Sequence, residues 1–363
     1  MYRHASVLLS RVAKGRYDSQ TCRNWSASWK RSSSMLSPSG LVHAARGRKS
    51  YPADRGTRKA TTSSEMAQST TAAREVEGKL AAAAQDYYSD PNVLNVHKQI
   101  LGGEVHVGLY DRLEGEDNKL EGMERIRQAG VITTRTMLSK AFSFGGLTSE
   151  KCTIMDMGSA YGGAARIAAK EFGCNVVCID VSQGENALNA EISAAAGLAD
   201  KIIIPGERSY FDTEMPEESM DVVVSQDSFL HAGTEQYRAI KEAARVLKPG
   251  GTMSFTDLMQ SETADPKELA ELYELVKIDH MANPTAYERW GKEYGLDFVE
   301  FDDQTANVST HYHNLVNLIA ALRPIEGCDD SFLDWISTRF SSWPKAERQG
   351  LVRWGILTLK KKN

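Results

Sequence analysis

A short turn of small residues between two apolar strands is the first place where this chain could do chemistry. Residues 152–157 are typical of a buried strand, residues 158–163 of a turn, and a helix is predicted from Ala164. A strand that turns sharply into a helix leaves backbone N–H groups for a ligand. Asp180 lies 22 residues after Gly158, at the end of the next strand, where a carboxylate can accept hydrogen bonds from both ribose hydroxyls. The pattern predicts a site for an adenosine-containing cofactor.

The small residues of this turn fit two cofactors. The nicotinamide fingerprint G-x-G-x-x-G is matched by Gly158 and Gly163, with Ala160 at its second position. The turn D-x-G-x-G-x-G of S-adenosylmethionine sites is matched by Asp156, Gly158 and Gly162, again with Ala160. Asp156 favours S-adenosylmethionine, because a carboxylate would repel a pyrophosphate but can accept a hydrogen bond from the cofactor's amino group.

Polar groups also follow a later strand. The segment SQDSFLHAG (225–233) places Gln226, Asp227 and His231 at the end of the predicted fourth strand. In an open α/β sheet, ligands bind at the carboxyl ends of the strands. We therefore expect these side chains to lie near the turn and Asp180.

The spacing of apolar runs predicts an α/β fold. Strands are predicted at 152–157, 175–181, 201–205, 221–226, 251–257, 296–301 and 352–362. Helices are predicted at 71–85, 121–142, 163–172, 184–197, 235–247, 266–291, 308–322 and 331–341. Apolar strands of this length between helices indicate a doubly wound, mostly parallel sheet that is buried on both faces.

From about residue 86 to the last residue, the chain resembles the class I S-adenosylmethionine-dependent methyltransferases, which have a Rossmann-like fold. It is most similar to the sarcosine/dimethylglycine N-methyltransferases that make glycine betaine. The motifs that carry the resemblance are GGEVHVGLY, MDMGSAYGGAAR, GLADKI, SQDSFLHA, ARVLKPGG, TDLM, HMANPTAYERWGKEYGL and STHYHNLV. The resemblance implies a seven-stranded sheet whose last strand is antiparallel.

The resemblance also implies roles for individual residues. Asp180 would hold the cofactor ribose, Ser209 and Tyr210 would lie beside the adenine, and Gln226 would line the methyl-donor side. The segment that closes over the cofactor would contain Tyr88, His106, Gly108 and Tyr110. Two positions depart from the family pattern: Ala160 replaces a glycine, which is tolerable if its φ is negative, and Leu101 replaces a tryptophan.

Methyl transfer to an amine requires the loss of a proton from the acceptor, whereas a thioether acceptor needs no base. The candidate bases are His231, His280, His311 and Tyr312. Arg289 could bind a substrate carboxylate through two hydrogen bonds. Tyr88 and Tyr110 could stabilise an onium product by cation–π contact. Each of these residues also has a structural explanation, as a packed side chain or a surface group.

Four functions remain open at this point. The resemblance favours methylation of sarcosine and dimethylglycine to glycine betaine. The alternative of the same class is an S-methyltransferase that acts on 4-methylthio-2-hydroxybutyrate, in dimethylsulfoniopropionate synthesis. The alternatives of another class are an NAD-dependent oxidoreductase and a non-catalytic cofactor-binding protein. We expect a small carboxylated acceptor, and no metal, nucleic acid or membrane partner.

Composition divides the chain into two parts. Residues 1–60 carry 13 Lys and Arg against two acidic residues, whereas the rest carries 46 acidic and 30 basic residues. Residues 61–363, with this excess of acidic side chains, are poorly suited to bind nucleic acid. The five cysteines show no zinc or disulfide spacing. We expect residues 1–70 to form a disordered tail or transit peptide, for a mitochondrion rather than a plastid.

The remainder is expected to form one methyltransferase domain at 71–363. Within it we expect a lid segment at 86–120 and helical insertions on the substrate side at 264–350.

Overall fold

The computed structural model describes residues 90–96, 99, 106–147 and 152–363. In these residues nine α-helices are present: α1 (Pro91–Val96), α2 (Gly122–Gly145), α3 (Gly163–Glu171), α4 (Gln183–Ala195), α5 (Gln236–Val246), α6 (Pro266–Val276), α7 (Pro284–Glu293), α8 (Ala306–Leu322) and α9 (Asp330–Arg348). The strands are β1 (Thr153–Met157), β2 (Asn175–Ile179), β3 (Ile202–Ile203), β4 (Met220–Gln226), β5 (Leu247–Gln260), β6 (Leu296–Asp303) and β7 (Val352–Lys361). The helix predicted at 71–85 lies outside the described residues.

The seven strands form one sheet in the order β3-β2-β1-β4-β5-β7-β6. Strands β1 to β5 are paired in parallel, and β7 is antiparallel to both β5 and β6. The predicted α/β class, the seven strands and the antiparallel last strand are therefore confirmed. The strand order reverses between β1 and β4, and a crevice at the carboxyl ends of such strands is where this architecture binds ligands.

Alternate residues of the central strands pack against different helices. Ile154, Val176 and Val222 belong to a core that also holds residues of α2, α3, α8 and α9. Met155, Val177 and Val223 belong to a second core, together with residues of α5 and α7. Period-two alternation between two apolar faces is what a sheet covered on both sides requires.

One predicted helix, 266–291, is two helices in the structure. Lys277 ends α6 in a left-handed conformation with φ of 58°. The side chain of Asn283 then accepts a hydrogen bond from the N–H of Ala286, and Pro284 occupies the first turn of α7. Asn followed by Pro is a helix-start signal, so the break was readable in the sequence.

The helix predicted at 331–341 is longer in the structure: α9 continues to Arg348. Pro344 lies inside this helix. Proline removes a backbone hydrogen bond there, but Trp343 and Ala346 on either side are buried. Packing of the last turn therefore outweighs the lost bond. Among the described helices, none combines the length and apolar character needed to cross a bilayer.

Candidate active site

The turn between β1 and α3 lies across the end of β2. The N–H groups of Gly158 and Ser159 donate to the carbonyl of Ile179, at 2.8 and 3.1 Å. Gly158 has φ of 77°, and a Cβ there would lie 2.1 Å from Ser228 Oγ. A side chain at position 158 is thus excluded both by the backbone conformation and by the loop that follows β4.

The sequence analysis expected an alanine at position 160 to be tolerated only with a negative φ, and Ala160 does not have one. Its φ is 45°, in the left-handed region between Gly158 and Gly162, whose φ is 74°. The Ala160 N–H donates to Oδ2 of Asp180 at 2.9 Å, which holds the alanine in this strained conformation. The turn keeps its glycine-like shape although one glycine is replaced.

Asp180 connects this turn to the start of α4. Its Oδ1 accepts a hydrogen bond from the N–H of Ser182 at 2.9 Å, while Oδ2 accepts the one from Ala160. Burial raises the pKa of Asp180, and the donors from Ser182 and Ala160 oppose that rise. Each carboxylate oxygen can accept a further hydrogen bond, so Asp180 can still receive ribose hydroxyls.

The buried face of α4 is polar, which the sequence analysis missed. Glu185, Asn186, Asn189 and Ser193 are buried on it. Within the described residues, Glu185 Oε1 and Asn186 Oδ1 have no hydrogen-bond partner. Burial, with the nearby charge of Asp180, raises the pKa of Glu185 to about 8. Buried acceptors beside Asp180 are suited to a ligand that carries hydroxyl donors.

The end of β4 supplies a second polar cluster. Gln226 accepts a hydrogen bond from Thr134 Oγ1 at 3.0 Å, and its Nε2 has no partner among the described residues. His106 Nε2 lies 3.4 Å from the same hydroxyl. Gln226 and His106 thus meet at one point on α2, and the amide group of Gln226 retains donors for a ligand.

Asp227 fastens the segment around His106 to the sheet. Its Oδ2 accepts the N–H of Val107 and its Oδ1 accepts Nε1 of Trp354, both at 2.8 Å. Asp227 has φ of 47°, a conformation that aspartate tolerates better than most residues. The described part of the predicted lid therefore lies at the carboxyl end of β4.

Tyr210 lies against the same turn. A Cβ on Gly158 would be 3.9 Å from the Tyr210 ring, and this ring packs edge-on against Phe229 at 5.5 Å between centroids. Burial raises the pKa of Tyr210. Ser209 is occupied locally, since its Oγ accepts the N–H of Phe211 at 3.1 Å. Tyr210 is therefore an aromatic wall beside the turn, and Ser209 shapes the loop.

The three candidate histidines are poor bases in their present surroundings. His231 lies in a 3₁₀ turn after β4, where burial and the positive charge of Arg339 lower its pKa to about 4. Burial, with a smaller contribution from His106, lowers the pKa of His311 to about 3. His280, in the loop before α7, also has a lowered pKa because of burial. Near neutral pH, His231 and His311 are uncharged.

Tyr110 pairs with α8 rather than with the glycine turn. Its hydroxyl lies 2.9 Å from Nδ1 of His311, and its N–H donates to Oδ1 of Asn307 at 2.8 Å. Tyr312 stacks on Trp343 with 5.7 Å between ring centroids. Tyr110 and His311 thus form a hydrogen-bonded pair at the junction of the lid with α8, and Tyr312 packs between α8 and α9.

Comparison with known proteins identifies the family. A methyltransferase domain matches residues 155–255. The sarcosine/dimethylglycine N-methyltransferase of Aphanothece halophytica is 32% identical over 287 residues, which cover 78% of this chain and 98% of that protein. This chain belongs to the sarcosine/dimethylglycine N-methyltransferase family of S-adenosylmethionine-dependent methyltransferases.

Two further relatives agree with this assignment. The glycine/sarcosine/dimethylglycine N-methyltransferase of Actinopolyspora halophila is 32% identical over 277 residues, and the match covers 76% of this chain but only 46% of that protein. The crystal structure of a candidate sarcosine dimethylglycine methyltransferase from Galdieria sulphuraria superposes with a TM-score of 0.68 and 28% identity, covering 76% of this chain and 99% of the other.

The residues of this methyltransferase fit S-adenosylmethionine. The turn that contains Gly158 is the place where they meet. Asp180 and Glu185 offer acceptors there, and the Tyr210 ring packs beside it. Asp156 is buried in β1, two residues before Gly158. These acceptors suit the hydroxyls of a ribose and the ammonium of an amino-acid group. Membership of the methyltransferase family sets the nicotinamide alternative aside.

Some predicted site residues are not brought together. Arg289 is exposed on α7, and its guanidinium faces the ring of its neighbour Trp290 at 5.9 Å, so its position does not support a buried clamp. Gly108 packs on α2, since a Cβ there would lie 2.5 Å from Ala129 Cβ. Tyr88 and Leu101 lie outside the described residues.

No cluster of three or more potential metal ligands occurs in the described residues.

A buried network below the His231 turn was not predicted either. Asp257 on β5 accepts hydrogen bonds from the hydroxyl of Tyr287 at 2.5 Å and the N–H of Leu230 at 3.1 Å. Gln236 contacts the Tyr287 hydroxyl and also accepts the N–H of Ala282 at 2.8 Å. Burial raises the pKa of Asp257. The network ties α7 and the His231 turn to the sheet.

Proposed function

We propose that this methyltransferase transfers a methyl group to a small carboxylated acceptor, with sarcosine and dimethylglycine as its substrates and glycine betaine as the product. The observation that carries the proposal is the similarity to sarcosine/dimethylglycine N-methyltransferases over nearly the whole length of the Aphanothece protein. Relatives from Parasynechococcus marenigrum and Halorhodospira halochloris with 30% and 27% identity carry names of the same substrate class.

The chain's residues would act mainly by positioning. When bound, S-adenosylmethionine supplies an electrophilic methyl group on a sulfonium. Asp180, Glu185 and Tyr210 would hold the nucleoside part beside the turn, and Gln226 would face the donor group. The lid, held to β4 through Asp227, would exclude water. Alignment of two reactants can lower a barrier by up to ~7–11 kcal/mol.

Sulfur is the second candidate for the acceptor atom, because a thioether needs no base. His231 and His311, which could remove a proton from an ammonium, have pKa values of about 4 and about 3. Such groups accept a proton from an ammonium weakly. A thioether has no proton to lose, so 4-methylthio-2-hydroxybutyrate is the second candidate acceptor, and its product would also be an onium solute.

An acceptor screen tests the proposal. The purified protein is offered S-adenosylmethionine with glycine, sarcosine, dimethylglycine or 4-methylthio-2-hydroxybutyrate, and the methylated products are quantified by mass spectrometry. We expect turnover of sarcosine and dimethylglycine. Turnover of the methylthio acid alone would transfer the proposal to sulfur. Absence of turnover with all four would overturn it.

The pH profile separates the two acceptor atoms independently. The lowered pKa values of His231 and His311 place any rising limb that comes from either histidine well below pH 6.5. For an amine with a pKa of about 10, the neutral fraction rises tenfold per pH unit. Between about pH 6.5 and 9, kcat/KM should therefore rise for dimethylglycine and stay flat for a thioether.

A further inference from the structure

Two cysteines that are far apart in the sequence meet at the amino-terminal edge of the sheet. Cys152 directly precedes β1, and Cys174 directly precedes β2. The two strands pair in parallel, with Thr153 opposite Asn175. The N–H of Asn175 donates to the carbonyl oxygen of Cys152 at 3.0 Å, so the pairing extends back to the cysteines. Cys152 and Cys174 are therefore direct neighbours across two strands.

The side chains of the two cysteines point to the same face of the sheet. Ile154, two residues after Cys152, lies opposite Val176, two residues after Cys174, and all four side chains belong to one buried core. Neighbouring strands lie about 4.7–4.9 Å apart. A disulfide needs Cα atoms about 4.4–6.8 Å apart and side chains that point towards each other. The register of β1 and β2 thus meets the geometric requirement for a disulfide.

The surroundings of the two thiols make them chemically unequal. The Cys152 thiol hydrogen-bonds the sulfur of Cys174 and so lowers the pKa of Cys174, against the effect of burial and with help from the charge of Lys201. Lys201 is held close by, since its Nζ donates to the carbonyl oxygen of Gly173 at 2.7 Å. The same thiol–thiol bond, together with burial, raises the pKa of Cys152. Because the thiolate is the reactive form, Cys174 is the sulfur suited to react first.

The pair is remote from the cofactor turn. Gly158 and Asp180 follow the carboxyl ends of β1 and β2, whereas the cysteines precede the same two strands. A bridge between them would close a loop that contains the whole turn and α3, without using a residue of the site. Cys152 is 3% exposed and Cys174 is 0% exposed, so the oxidant must be small and uncharged.

We propose that Cys152 and Cys174 form a reversible disulfide that fastens the amino ends of β1 and β2, with hydrogen peroxide as the oxidant. The sulfur of Cys174 attacks one peroxide oxygen, the O–O bond breaks, and the released hydroxide takes up the proton of that thiol to form water. The sulfur of Cys152 then attacks the resulting sulfenic acid. An S–S bond forms, and the hydroxide that leaves takes the Cys152 proton as a second water. The two thiols supply the two electrons that reduce the peroxide, and a dithiol reverses the bridge. This inference is independent of the acceptor that the enzyme methylates.

The test uses the full chain and three variants: Cys152→Ala, Cys174→Ala and Cys178→Ala. Cys178 is the matched control, because it is buried on the same face of β2 but lies opposite Asp156 instead of a cysteine. Hydrogen peroxide is raised stepwise until the half-buried Cys328 is oxidised. The protein is then unfolded in an alkylating agent, digested without reductant and analysed by mass spectrometry.

We expect a peptide pair that joins Cys152 to Cys174 in the wild type and in Cys178→Ala, and its loss after treatment with dithiothreitol. The bridge should raise Tm by at least about 4 °C, because it constrains the unfolded chain. Cofactor affinity should be unchanged. Peroxide should raise Tm in neither Cys152→Ala nor Cys174→Ala. The wild-type peptide pair is decisive even if a variant fails to fold.

Two results would overturn the proposal. One is a wild type in which Cys152 and Cys174 remain unbridged at the peroxide dose that oxidises Cys328. The other is a bridge that forms but leaves Tm unchanged or lower, because it would not fasten the strands. The order of reaction is checked by trapping sulfenic acid with dimedone. Cys174 should be labelled in Cys152→Ala, and labelling only of Cys152 in Cys174→Ala would contradict the assignment of the attacking sulfur.

Discussion

Residues 158 and 160 belong to the same turn but tolerate substitution differently. A Cβ at Gly158 would lie 2.1 Å from Ser228 Oγ, whereas Ala160 already carries a Cβ at φ of 45°. We expect Gly158→Ala to weaken S-adenosylmethionine binding at least about tenfold, because the turn or Ser228 must move.

Ala160→Gly is the matched control in that comparison. It removes a left-handed strain of about 1–2 kcal/mol, and the added freedom of the unfolded chain offsets about 0.4–1 kcal/mol of this. Its free energy of unfolding should therefore equal or exceed that of the wild type by up to about 1.6 kcal/mol, with unchanged cofactor affinity. Calorimetry and urea denaturation measure the two quantities. Wild-type affinity in Gly158→Ala would contradict the close packing at that position.

Glu185 should make the stability of the protein depend on pH. Its pKa is raised to about 8 in the folded chain, against an ordinary value of 4.5. Between these values the folded state holds a proton that the unfolded state has released, so stability falls as pH rises and levels off above about 8. The Glu185→Gln variant lacks this dependence.

The advantage of Glu185→Gln over the wild type should therefore increase from about pH 4.5 to 8, reaching on the order of 2–4 kcal/mol. Urea denaturation at half-unit pH steps, without cofactor, measures this difference. An advantage that stays constant with pH would show that Glu185 is already ionised in the fold.

At the scale of elements, the sequence predicted the features that are set by residues close together along the chain. The β1–α3 turn and Asp180 were predictable because both lie where a strand ends, within 25 residues of chain. The polar face of α4 and the buried position of Arg339 were not, because they depend on which face of a helix packs inward. The exposure of Arg289 was missed for the same reason.

The Asp257 network should hold α7 and the His231 turn in place. Tyr287→Phe removes the hydroxyl that donates to Asp257 at 2.5 Å and leaves a buried carboxyl with one donor fewer. We expect the free energy of unfolding to fall by about 2 kcal/mol. Tyr294→Phe, at the half-buried end of α7, serves as the control and should lose less. Equal losses in the two variants, measured by urea denaturation, would argue against a special role for the network.

At the scale of the whole molecule, the doubly wound parallel sheet followed from the alternation of strands and helices, whereas the strand order, with its reversal between β1 and β4, came from the structure. The antiparallel last strand followed only from the family resemblance. The break at Lys277 and the continuation of α9 through Pro344 show where tertiary packing and cap chemistry override a periodic pattern. The composition of residues 1–60 makes a separate prediction, about where the enzyme works.

We propose that these residues direct the enzyme to an organelle, because 13 basic against two acidic residues is a composition typical of transit peptides. The full chain, fused to a fluorescent protein at its C-terminus, should accumulate in mitochondria rather than plastids. A chain that starts at Met66 should remain in the cytosol and still bind S-adenosylmethionine, because no described site residue precedes it. Replacement of Arg11, Lys14 and Arg16 by Gln should reduce import, since these residues supply much of the positive charge near the start of the chain. Equal distribution of the full and shortened chains would refute targeting, and accumulation in plastids would correct the organelle.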